Sequence, residues 1–290
     1  MTIKHARPLW RNFYPRAGVL ECFRMWGMKA YRKAAVASTF SPTHLAVLYE
    51  AWDLAQRAGA TLDVLHADAE TEEKRRCFEN SFRKVGCAAT VRWLEGVSPG
   101  DAILDAARHF GYDLLIAGAL ERETQTDGRA FTGSVARRLL VESPCDVLLL
   151  PRPAESRPPM EKVFFAVEPG RPITDFVIEV SGQFGLSSVM LAYSKSPFEA
   201  ALAASRGESL EDIDVWVEET VAVLEGAGIS ADIFPVTSNT GFGLCDAIQG
   251  NGADLLIVQA GRQGGCLHLP SRLDWLRQII PTRLLIRSED

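Results

Sequence analysis

The chain has 290 residues and a net charge of −6, unevenly spread: residues 1–33 hold eight basic residues against Glu21 alone, giving +7, and the remainder carries −13. That length is long for one domain and comfortable for two, each able to bury a core of its own, while 47% apolar and 23% charged residues exclude global disorder. An acidic body excludes nucleic acid wrapped over the whole surface, which needs Lys and Arg on the binding face, and no apolar run approaches the roughly 18 to 20 residues that cross a bilayer.

Residues 1–32 form a basic arm in which Trp10, Phe13, Tyr14, Phe23, Trp26 and Tyr31 lie among the arginines and lysines. These residues interrupt every apolar run, unlike a secretory signal. Two readings stay open. The arm packs along the domains with its Arg side chains snorkelling to water, which we prefer, or it docks on an acidic protein partner, an anionic membrane surface or the acidic half of a dimer mate.

Residues 33–38 are a short apolar run followed by Thr-Phe-Ser-Pro, the pattern of a buried strand ending in a loop. Leu45, Leu48, Trp52 and Ala55 then recur at helical spacing, and Gly59 stops the run. The alternation predicts a strand over 61–67, a helix over 72–85 and a strand over 88–94. Ser98 is placed as an N-cap with Pro99 in the first turn. A strand follows over 113–118, a helix over 134–141 and a closing strand over 146–150. Strands apolar on both faces and alternating with helices predict a doubly wound parallel sheet.

Residues 151–159 are proline-rich and aperiodic, as in an extended linker. Beyond them the order recurs, with strands expected over 162–167, 188–193, 231–235, 254–258 and 282–286 and helices over 173–184 and 210–224. Asp254-Leu-Leu-Ile-Val258 mirrors Asp113-Leu-Leu-Ile-Ala117, so the chain is an internal duplication. The expected fold is α/β, two tandem doubly wound, Rossmann-like domains with parallel five-stranded sheets. Domain 1 covers 33–152, the linker 153–160 and domain 2 161–290.

Three patches of the first half stand out: Thr39-Phe-Ser-Pro42, Gly96-Val-Ser-Pro-Gly-Asp-Ala-Ile103, and Gly133-Ser-Val-Ala-Arg-Arg-Leu-Leu-Val-Glu-Ser-Pro-Cys145. With them, residues 33–151 resemble the universal stress protein family, and the third patch is the most specific. The second half is similar more weakly, through Ala166-Val-Glu168 and residues 252–258. The resemblance implies that the halves pair as a pseudo-dimer. It also implies that an ATP-binding member carries an acid at the end of its first strand and a signature G-x-x-G, nine residues, then G-S or G-T. Glycines there let backbone N–H groups approach phosphate, and the helix that follows offers its N-terminal dipole.

Gly118, Gly133 and Ser134 fit the two ends of that signature. Glu121 takes the second glycine position, and the loop is two residues longer and carries Glu123 and Asp127. These carboxylates repel a triphosphate unless a divalent cation such as Mg2+ intervenes. Gly128 offers one close backbone approach, and Thr39 stands where the acid is expected. The candidate nucleotide contacts are therefore Thr39, Ser41, Gly118, Gly128, Gly133 and Ser134. In the second half Glu168 and Gly261-Arg-Gln-Gly264 keep parts of the pattern, but Asp274-Trp275 replaces the closing Gly-Ser, so this half is expected to have lost phosphate binding.

Plainer roles stand beside these. Gly118 serves either phosphate or close packing at the topological switch point, and Gly133-Ser134 either a phosphate cradle or a simple helix start. His66 at a strand end is more often a satisfied polar residue than a catalyst, and Trp52, Trp216 and Trp275 read as core or interface filler. Six scattered cysteines without a C-x-x-C pattern suit a reducing cytoplasm. The expected function is a cytoplasmic stress-response regulator that binds ATP or another adenine nucleotide in its first half and has a protein partner or a second copy. Its rival is a scaffold with both sites degenerate. No Walker lysine, S-G-G-x-D-S loop or nucleophile with its base is present, so the expectation for enzyme activity is weak ATP hydrolysis at most.

Overall fold

The computed structural model describes residues 31–95, 98–119, 130–156, 159–168, 170–195, 211–238 and 241–288. The first half runs β1 (Lys33–Ala37), α1 (His44–Ala58), β2 (Thr61–His66), α2 (Glu72–Val85), β3 (Thr90–Trp93), α3 (Pro99–Phe110), β4 (Leu114–Gly118), β5 (Ala130–Phe131), α4 (Ser134–Glu142) and β6 (Asp146–Leu150). The second runs β7 (Val163–Ala166), α5 (Thr174–Phe184), β8 (Ser188–Lys195), α6 (Glu211–Gly226), β9 (Ser230–Thr237), α7 (Gly241–Gly250), β10 (Leu255–Gln263), β11 (Cys266–His268), a 3-10 helix (Ser271–Arg277), β12 (Ile279–Ile280) and β13 (Arg283–Ser288).

Local chemistry sets the ends. The Ser98 Oγ accepts the Asp101 N–H, which fixes the start of α3, and Gly111 at φ 62° stops it in a left-handed conformation that costs a glycine little. Helix α7 lies outside the elements expected from sequence. Its glycines weaken the helical signal, yet one of them is required, because a Cβ on Gly243 would run into the Ser238 side chain.

Each half is a parallel five-stranded sheet of doubly wound topology, in the order β3-β2-β1-β4-β6 and, mirrored, β13-β10-β7-β8-β9. The halves meet edge to edge. Strand β6 pairs antiparallel with β13 through Val147↔Ile286, Leu148↔Leu285 and Leu149↔Leu284. This covers two edges that would otherwise be open to other chains. A second antiparallel pair crosses the seam between β5 and β12, Ala130↔Ile280 and Phe131↔Ile279.

Apolar burial follows the faces of the joined sheet, not the halves. One cluster draws Leu48, Phe78 and Leu114 together with Phe165, Val177, Val217 and Leu224, under α1, α2, α5 and α6. The other joins Leu104, Leu139 and Val147 to Leu244, Leu256 and Leu276, under α3, α4, α7 and the 3-10 helix. The expectation of one core per half thus gives way to one core per face, because the paired edges let neighbouring side chains pack on across the seam.

Charge is buried there too. Asp146, fully buried, accepts hydrogen bonds from the Tyr31 hydroxyl at 2.9 Å and from the Ser288 N–H and Oγ, both at 3.1 Å. The buried Arg287 guanidinium lies 3.9 Å from it and also binds Glu179 and Gln183. Burial, and after it the Asp146 charge, holds the Tyr31 phenol well above its ordinary range. Tyr31, assigned from sequence to the arm, is therefore a core residue. On the α1/α5 face Arg283 forks onto the buried Glu50, with Nε–Oε2 at 2.7 Å and Nη2–Oε1 at 2.6 Å, a second tie across the halves.

Candidate functional site

In the first half the strand order reverses between β1 and β4, and ligands of open α/β sheets sit in the crevice at such a point. The register Ala37↔Ala117 brings the loop after β1 and the end of β4 out side by side, so Thr39, Ser41 and Gly118 share one rim. Gly133 is drawn to the same place, because its N–H donates to the Ala119 carbonyl at 2.9 Å. Helix α4 therefore starts beside the end of β4. Gly133 caps it without a side-chain bond, and helix geometry leaves the amides of Ser134, Val135 and Ala136 no acceptor within the helix. Thr39 and Ser134 are exposed. Ser41 has a local role as well: its Oγ lies 3.3 Å from the Thr43 Oγ1 and its carbonyl accepts the His44 N–H. Gly128, with Glu121, Glu123 and Asp127, lies outside the described residues.

Among the described residues a Cβ on Gly118 would meet only the Val47 Cγ2, at an ordinary 3.7 Å. The Gly133 N–H is already committed to Ala119, so the donors left for an anion are those one to three residues on. Arg138 ties the second and third family patches together, binding Asp101 at 2.7 Å and Glu142 at 2.9 Å. Its guanidinium lowers the pKa of both carboxyls, although these groups are part-exposed and the pairs contribute little to stability.

Beside the rim lies a cluster that no spacing in the sequence announced. The Phe40 ring, 40% exposed, stands 4.9 Å from His66 and 4.7 Å from Phe78, and Trp93 meets His66 edge-on at 5.4 Å. The His66 Nδ1 faces the Ser38 carbonyl at 2.9 Å. A carbonyl only accepts, so Nδ1 carries the proton. Its Nε2 is buried with no hydrogen-bond partner among the described residues. The Ser81 Oγ donates to the Cys77 carbonyl and so accepts the His44 Nε2–H at 3.0 Å, while the His44 Nδ1 takes the Ser38 hydroxyl at 2.8 Å.

Burial first, and then the neighbouring His66, lowers the His44 pKa. A depressed histidine contributes stability that is present above the unfolded value of about 6.5 and is lost as pH falls through and below it. Denaturant melts at pH 7.5 and 5.5 are expected to show wild type losing stability on acidification and His44→Gln losing less. Equal slopes would place the acid sensitivity elsewhere.

Residues 88–151, from just before β3 to just after β6, match the universal stress protein family. A universal stress protein from Archaeoglobus fulgidus DSM 4304 superposes with a TM-score of 0.64 at 12% identity, over 89% of this chain and 98% of its own. A candidate universal stress protein from Pseudomonas aeruginosa UCBPP-PA14 gives 0.63 at 15% identity, over 90% and 95%. A universal stress protein in complex with cAMP matches 42% of this chain and 98% of its own at 22% identity, with a TM-score of 0.36. No curated protein matches the chain. The first two likenesses extend the universal stress protein fold over both halves. No helix among the described residues is long and apolar enough to cross a membrane.

Within this fold the second half has put its signature loop to another use. Gly261-Arg-Gln-Gly264, taken from sequence as the remnant of a phosphate motif, is instead the end of β10 and its turn into β11, with Gly261↔His268 and Gln263↔Cys266 paired antiparallel. Gly264 and Gly265, at φ 58° and 81°, form the two-residue turn. The same spacing of glycines serves a hairpin as readily as a phosphate. This hairpin braces the seam: Arg262 donates to the Pro144 carbonyl at 2.7 Å and the Leu267 N–H to the Ser143 carbonyl at 3.2 Å. Trp275, in the position of the closing Gly-Ser, is buried with Leu273 and Leu276 in the 3-10 helix.

Proposed function

We propose that this universal stress protein binds an adenine nucleotide in the first-half crevice, with phosphates at the start of α4, and acts as a cytoplasmic stress-response regulator through a protein partner or a second copy. The reading is carried by the bond from the Gly133 N–H to the Ala119 carbonyl, which sets a helix start, its first amides without an acceptor in the helix, against the end of β4 at the switch point. Such a helix end presents about half a positive charge and several donors to an anion. Mg2+ carried by the phosphates would offset the acidic loop residues 121, 123 and 127.

Calorimetric titration with Mg-ATP, ATP without Mg2+, ADP and cAMP tests this, alongside a search for nucleotide released when the purified protein is denatured. Gly118→Ala is expected to fold normally, because its Cβ makes one ordinary contact, yet to weaken nucleotide binding by about tenfold or more, near 1.4 kcal/mol. Gly133→Val is expected to abolish binding. No released nucleotide and no heat with any of these ligands would discard the proposal. The scaffold reading would then stand, favoured by Thr39 in place of the acid and by the hairpin that takes up the second-half loop.

A further inference from the structure

Helix α6 carries Glu211, Asp212, Asp214, Glu218, Glu219 and Glu225 and neither Lys nor Arg. Its Val217 and Leu224 are buried against the sheet, while Val215 and Val223 are 51% and 53% exposed. Glu219 and Ala222, also exposed, fall on the same stripe as these two valines, at i+4 and i+7 from Val215. The outer face of α6 is thus both apolar and strongly acidic. Helix α2, on the same side of the sheet, has five basic residues against three acidic ones.

Residues 1–30 have the complementary character, with six basic residues against Glu21 and a run of aromatics. Where they join the fold is fixed by Tyr31, which is buried with its ring 6.3 Å from Phe184, the last residue of α5. Helix α5 packs against α6, and Tyr31 shares its apolar cluster with Val217 and Leu224. The arm therefore joins on the face that carries α6, one helix away. Packed helices stand roughly 8–10 Å apart, and thirty residues span about 45 Å even when helical.

We propose that residues 1–30 dock on the outer face of α6 of their own chain, aromatic side chains over Val215 and Val223 and basic side chains against Glu218, Glu219 and Glu225. Zero-length carbodiimide cross-linking of the full chain, mapped by mass spectrometry on an equimolar mixture of light and nitrogen-15-labelled protein, tests it. Links from Lys4 or Lys29 to those three glutamates are expected, all within one chain. The double variant Glu218→Lys, Glu219→Lys, whose side chains are exposed, should keep the wild-type melting curve and lose the links to Glu225 as well. Links only to other carboxylates, links joining heavy and light chains, or none at all would overturn the proposal. Sedimentation with phosphatidylserine vesicles that depends on the arm, in the absence of α6 links, would assign the arm to a membrane surface instead.

Discussion

Asp146→Ala is expected to lower the unfolding free energy by about 3–5 kcal/mol, the range for removing one member of a buried ionic cluster. The carboxylate is fully buried at the seam and accepts hydrogen bonds from the Tyr31 hydroxyl and from the N–H and Oγ of Ser288 in the opposite half. Truncation removes the Asp146 acceptor from the Ser288 N–H and the Tyr31 hydroxyl in the core, and takes a counter-charge from Arg287 while Glu179 and Gln183 remain. Buried groups stripped of their partners bear the full desolvation cost. Asp146→Asn keeps an acceptor oxygen and should lose less. Glu142→Ala removes a half-exposed ion pair and should stay within about 1 kcal/mol. Urea unfolding read by far-ultraviolet dichroism and by tryptophan fluorescence gives the comparison. A loss for Asp146→Ala no larger than for Glu142→Ala would show that this cluster does not hold the halves together.

The inner parallel strands were legible in the sequence because burial on both faces writes them as continuous apolar runs, of which 146–150 is the plainest. The seam was not. Residues 146–150 and 283–288 look like any closing strand, and a strand's own residues do not record which strand covers its free edge. The continuation of β10 through Gln259-Ala-Gly-Arg-Gln263 is polar and glycine-containing, so the pattern that marks its buried part stops where the hairpin begins. Helix α7 was hidden by the glycine it needs beside Ser238.

For the candidate site, the helix start at Gly133 and Ser134 was legible through the third family patch, and the register shows why the loop after β1 and the end of β4, far apart in sequence, share a rim. The cluster of Phe40, His44, His66, Phe78 and Trp93 was not legible. Its members come from four separate stretches of the chain, and only Phe78 and Phe82, at i and i+4 on an otherwise charged helix, hinted at a buried aromatic face. The second-half glycines keep a phosphate-like spacing and build a hairpin for a physical reason. A phosphate cradle and a tight hairpin both ask for residues without a Cβ, and spacing alone does not tell the two demands apart.

Ile280→Ala is expected to cost about 2–5 kcal/mol, as large-to-small changes in a packed core do, and to loosen the start of α4 in the opposite half. Ile280 is 1% exposed and lies in β12, which pairs with β5. The next residue of that segment, Thr132, donates its N–H to the Gln278 carbonyl at 3.0 Å, and Gly133 follows directly. The second half therefore holds the residues that lead into the first-half turn. The matched control is Leu256→Ala, which empties a similar volume at a fully buried position in β10 without touching this strand pair. At equal loss of stability, hydrogen exchange at the amides of residues 133–136 should accelerate in Ile280→Ala and not in Leu256→Ala, and nucleotide affinity should follow the same order. Equal exchange in both variants would mean that the turn is set by Ala119 alone and that the second half lends it no support.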